Sequence, residues 1–97
     1  MKDIIGYEGL YAITSCGKVW SYKSKKFLKP QKDKSGFLRT SLHKDKEIKH
    51  YYIHRLVAET YLPNPDNLRQ VRHKDENKED NALPNLEWCP MNYQKCN

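Results

Sequence analysis

The stretch Gln70–Cys89, QVRHKDENKEDNALPNLEWC, holds the side chains best suited to chemistry in this 97-residue sequence. One histidine, His73, sits among seven carboxylate or amide residues between Gln70 and Pro84, and Asn-Leu-Glu-Trp follows. A neutral imidazole can deprotonate a water, and carboxylate or amide oxygens can hold a hard divalent cation. These are the parts of metal-assisted phosphodiester hydrolysis, in which the cation stabilises the scissile phosphate and the leaving 3′ oxygen. A second polar group must orient the imidazole so that the correct nitrogen faces the water. The same composition also suits an idle polar turn, because Asn and Asp satisfy turn backbone with their own side chains. Spacing alone leaves both readings open.

Several elements must position this stretch. QVRH and NLEWC read as two short strands with KDENKEDNALP looping between them, so His73 falls at a strand end. Upstream, RLVAETYL has the i, i+4 apolar spacing of a short helix, which Pro63 and Pro65 end. LYAITSCGKVWSY alternates around a turn with Gly17 available for positive φ, predicting a hairpin of about Tyr11–Thr14 and Val19–Tyr22. KFLKP is a possible further strand, broken by Pro30, and KDKSG a polar turn. FLRTSLH then sets Phe37, Arg39 and Ser41 against Leu38, Thr40 and Leu42, with IKHYYIH as its partner. The fold class expected is α+β: a small antiparallel β-sheet, then a helix and a polar hairpin. Residues 1–52 would form a basic β module and 53–97 the helix and hairpin, the two making one compact unit.

Charge points to a partner. From Lys18 to Arg55 there are twelve basic and three acidic residues, whereas residues 56–97 carry five basic against seven acidic. The net +6 is therefore concentrated in the middle of the chain, where Trp20, Tyr22, Phe27, Phe37, Tyr51 and Tyr52 interleave with it. A cationic, aromatic-bearing block attracts polyanions, with DNA or RNA the leading candidate. The opening MKDIIGYEG lacks a signal-peptide pattern and no apolar run approaches ~18 residues. An intracellular protein without membrane association is expected. Cys16, Cys89 and Cys96 cannot all pair with one another and show no CxxC spacing. Reduced thiols and no structural zinc are expected.

GYEGLYAITSCGKVWSYKSKKFL resembles the amino-terminal module of phage HNH homing endonucleases, in its Gly-Tyr-Glu-Gly-Leu-Tyr opening, Ser-x-Gly-x-Val turn and basic tail. IHRLVAETYLPNPDN followed by VRHKDENKEDNALPNLEW resembles the HNH segment of the same proteins, in the expected order. The resemblance implies an HNH-like ββα-metal hairpin and a DNA-cleaving or DNA-binding function in the cytoplasm of a bacterial host, with the protein phage-encoded. His73 matches the general base. Asn85 matches the middle asparagine of the motif, which helps hold the hairpin and orient the base. Leu86 and Trp88 would pack in the core, and His54 would pack or hydrogen-bond at the start of the helix. Lys18, Lys23, Lys25, Lys26, Lys29, Lys32, Lys34, Arg39, Lys44 and Lys46 would face duplex DNA, neutralising phosphates or reaching base edges.

The departures fall on the metal ligands. Family members usually carry Asp or Asn just before the base as a ligand, and this sequence has Arg72, whose guanidinium has no lone pair to give a cation. The other ligand position, an Asn early in the following helix, falls by register on Gln94. The sequence ends at Asn97, so that helix would be a turn or two. In one reading the protein nicks DNA with Mg or Mn held by Gln94, substrate phosphate, water and Asp75. In the other the hairpin survives as scaffold, Arg72 contacts a phosphate, and the protein binds DNA without cutting it or binds a protein partner as an inhibitor.

Overall fold

The structure is a computed structural model that describes residues 1–75 and 77–89. Four short strands, β1 (Lys2–Asp3), β2 (Tyr11–Ile13), β3 (Val19–Ser21) and β4 (Lys26–Phe27), form an antiparallel sheet in that order. A second antiparallel sheet holds β5 (Gln31–Lys32), β6 (Leu38–Lys44) and β7 (Glu47–Tyr52). β7 runs directly into α1 (Ile53–Tyr61), and β8 (Gln70–His73) then pairs with β9 (Leu86–Cys89). The α+β class, the Tyr11 hairpin and the closing hairpin are as expected, and the helix expected over RLVAETYL begins two residues earlier, taking in Ile53 and His54 from the end of the expected IKHYYIH strand. The single basic sheet expected for the middle of the chain is instead two sheets, because Pro30 removes a donor where β4 would continue into β5.

The alternation in FLRTSLH works as the sequence predicts. Thr40 and Leu42 are buried on one face of β6, while Arg39 and Ser41 pair with Tyr52 and His50 on the other. Helix α1 is the hub of the core. Its Ile53, Leu56, Val57 and Ala58 pack with Ile13 and Val19 of the first sheet, Leu42 of the second, and Val71 and Leu86 of the last hairpin. All three sheets thus bury their apolar faces on one helix, which a chain this short needs to reach a workable core. The helix ends at Tyr61 with Leu62 already extended, as Pro63 requires. Tyr61 donates to the carbonyl of Ile13 at 2.6 Å, tying the helix end to β2.

Cys16 carries a free, exposed thiol. Cys89 is disulfide-bonded, which corrects the expectation of reduced thiols. Cys96 and Gln94 lie outside the described residues. No helix among the described residues is long and apolar enough to cross a membrane.

Candidate active site and nucleic-acid interface

His73 closes β8 opposite Leu86 of β9 and is only 1% exposed. Alternation along β8 places Val71 and His73 on the buried face and Gln70 and Arg72 on the other. The His73 Nε2 lies 2.8 Å from Oδ1 of Asn81, a residue itself 4% exposed. An amide oxygen only accepts, so Nε2 carries the proton and Nδ1 keeps its lone pair. That Nδ1 is buried and has no hydrogen-bond partner among the described residues. A buried polar nitrogen left unpaired costs about 1–3 kcal/mol, so its retention calls for a reason such as water, ligand or chemistry.

Rings surround the imidazole. His54, the second residue of α1, has its centroid 4.9 Å away and Phe37 5.9 Å away, with Tyr52 5.5 Å beyond on His54. His54 is buried, its Nδ1 is also unpartnered, and its pKa falls to about 3. Desolvation is the largest cause; the charge of protonated His73 and the Arg55 guanidinium add to it. His54 is therefore neutral at physiological pH. It forms one wall of a cleft of about 350 Å³, lined also by Ser35, Phe37, Tyr52, Arg55, Gln70 and Val71. Tyr52 donates to Asp33 at 2.8 Å, and that bond holds the Asp33 carboxyl below its usual range.

Asn85 braces the loop. Its Nδ2 donates to the carbonyl of Asp80 at 2.8 Å and its Oδ1 accepts from the Asp75 backbone at 3.1 Å. The hydrogen bond to the imidazole comes from Asn81, four residues earlier, which the sequence reading passed over. Nothing in EDNALPN separates a turn asparagine from one aimed inward. The usable signal was the need for an acceptor on His73 together with a loop long enough to return one.

Arg72 donates to Glu87, its register partner on β9, at 2.9 Å. Asp75 is exposed and accepts from the Asn77 backbone at 2.8 Å, the main reason its pKa is lowered. Among the described residues no three His, Cys, Asp or Glu side chains converge on one point. A guanidinium at the usual ligand position offers a cation no lone pair, and Gln94, the other expected ligand, lies outside the described residues. Trp88 is half-buried and donates to the carbonyl of Leu62 at 3.2 Å, with Arg55 over its ring.

The ten basic residues expected to meet DNA are exposed, apart from the half-buried Arg39. They fall into two groups. Arg39 is the register partner of Tyr52, which lines the cleft, Lys34 precedes the cleft-lining Ser35 in sequence, and Lys32 pairs with Glu79 at 3.3 Å. Lys23, Lys44 and Lys46 gather at the far end of β6 and β7, where Lys23, His43 and Lys44 line a second hollow of about 540 Å³. Lys18, Lys25, Lys26 and Lys29 decorate the turns and edge of the first sheet.

Residues 2–43 match the NUMOD4 motif and residues 51–95 match the HNH endonuclease model, with His73 and Asn81 inside the latter. The chain joins a NUMOD4 motif to an HNH endonuclease domain. DNA endonuclease I-HmuI of Bacillus phage SP01 is 44% identical over 87 residues, which are 90% of this chain and 50% of that protein. An uncharacterized HNH endonuclease, L245, of Acanthamoeba polyphaga mimivirus is 47% identical over 79 residues, covering 81% of this chain and 24% of that protein. A solved structure of the HNH homing endonuclease I-HmuI, described as DNA binding and cleavage by that enzyme, superposes with TM-score 0.86 at 43% identity. It covers 93% of this chain and 52% of that one, so this HNH chain spans about half the length of the phage relative.

Proposed function

We propose that this chain binds duplex DNA in the cytoplasm of a phage-infected bacterial host and keeps the HNH general base His73, while its metal-ligand shell is degraded. The observation that carries the reading is the Arg72–Glu87 ion pair at the position where a ligand would stand. The base remains organised: Nε2 is engaged, Nδ1 is bare, and His54 and Phe37 hold the ring from the side. Nδ1 is the nitrogen that would take a proton from a water attacking the phosphorus. In a complete HNH site a divalent cation supplies charge stabilisation of the phosphate and the leaving 3′ oxygen. Here the guanidinium opposes a cation, and the base is 1% exposed. Both features favour weak or absent nicking over efficient cleavage.

DNA affinity would come from the cationic stretch of residues 18–52. Lysines that neutralise phosphates release counterions, so binding should weaken steeply with salt. A mobility-shift titration on duplex DNA from 50 to 200 mM salt tests this, with a steep log–log slope expected. Binding that is absent, or flat with salt, would instead favour a protein partner for the retained scaffold.

A further inference from the structure

We infer that Asn81 is the positioning residue for His73, and that the amino-terminal module presets it. The inference rests on reading His73 as the base. Asn81 Oδ1 is the one acceptor on the His73 ring among the described residues, and the asparagine is nine-tenths buried. It is the acceptor, not the ring, that selects which nitrogen is protonated. Without it, the proton could sit on either nitrogen, and the lone pair would face the water only part of the time.

Asn85 braces the loop carrying Asn81 from within, and the amino-terminal module holds it from outside. Gly17, at φ +91° in the β2–β3 turn, lies so close that a Cβ there would come within 3.1 Å of both the Asn81 Cβ and the Ile53 Cγ2. The carbonyl of Ser15 in the same turn accepts from the Leu83 backbone at 2.7 Å, two residues past Asn81. Lys78 reaches from the loop to the Ser35 carbonyl at 2.9 Å, and Lys32 pairs with Glu79. The loop that orients the base is therefore held in part by residues outside the HNH-matching segment. The amino-terminal module acts on the chemistry as well as on DNA.

Nitrogen-15 NMR of the His73 ring in the full chain tests this, with His73→Ala assigning the signals. The unaltered chain should show one pyridine-like Nδ1 and one pyrrole-like Nε2. Asn81→Leu, which fills similar space but cannot accept, should draw both nitrogens toward intermediate shifts. Asn81→Asp, which keeps an acceptor at the same place, should keep Nε2 pyrrole-like. Amide spectra report whether each variant folds, and Asn81→Met takes the place of Asn81→Leu if the latter does not. Unchanged ring shifts in the folded non-acceptor variant, or an intermediate Nε2 shift in folded Asn81→Asp, would overturn the assignment. Plasmid nicking by Arg72→Asp, with and without His73→Ala, is scored separately: nicking that survives the loss of His73 refutes the base reading and leaves the positioning role standing.

Discussion

At the scale of single residues, Arg72 and His54 carry the consequences that can be measured most simply. Arg72 and Glu87 face each other across β8 and β9 with side-chain exposures of 22% and 42%. Such a partly exposed pair contributes about 0.2–1 kcal/mol. Arg72→Asp replaces attraction with like charges directly opposite, so without metal the variant should lose about 1 kcal/mol. That corresponds to a drop in Tm of about 4–8 °C in a domain of this size. Millimolar Mg²⁺ or Mn²⁺ should recover more of that loss in the variant than it adds to the parent; equal metal response in both would argue against a latent cation site. His54 gives the pH dependence. Its folded pKa, about 3, is below the ordinary 6.5, so the unfolded chain binds the extra proton. The stability it protects is complete above about pH 6.5 and declines as pH falls toward 3, by up to about 1.4 kcal/mol per pH unit. Urea midpoints between pH 4 and 7 should show this slope, and His54→Phe should flatten it.

At the scale of elements, the β2–β3 turn and α1 are the parts on which the site depends. Gly17→Ala forces a side chain into φ +91° and against Asn81 and Ile53. It should cost about 1–3 kcal/mol, read as a lowered Tm. Leu56→Ala in α1, at 3% exposure, should cost about 2–5 kcal/mol by denaturant titration. The elements were largely legible because their periods are unambiguous: period two in FLRTSLH, i and i+4 in RLVAETYL, and prolines where the helix stops. Gly17 was legible as a turn residue but not as a wall for Asn81, since that contact joins positions 64 residues apart in sequence. The same limit hid Asn81 behind Asn85. Sequence register marks an asparagine beside NLEW, while the identity of the acceptor on His73 depends on how a loop packs on another module. The split into two sheets was half legible: Pro30 marks the break after KFLKP, but not that a separate sheet begins beyond it.

At the scale of the whole molecule, the basic residues and the candidate base are arranged around one core. Basic residues lie at both ends of the β6–β7 ribbon, and the His54–His73 pair sits at one of them. A duplex laid along the ribbon would pass the cleft, which is the geometry the DNA-binding reading requires. Alanine replacement of Lys23, Lys34 or Arg39 singly should weaken DNA binding and lower the log–log salt slope by about 1 where the residue neutralises a phosphate. A slope unchanged by all three would remove the ribbon from the interface. The central claim is that the family base survives while Arg72 has degraded the site. It is tested most directly by incubating supercoiled plasmid with Mg²⁺ or Mn²⁺ and the parent chain, Arg72→Asp or His73→Ala. The account predicts weak or no nicking by the parent, more by Arg72→Asp, and none by His73→Ala. Robust metal-dependent nicking by the parent that disappears in His73→Ala would contradict it.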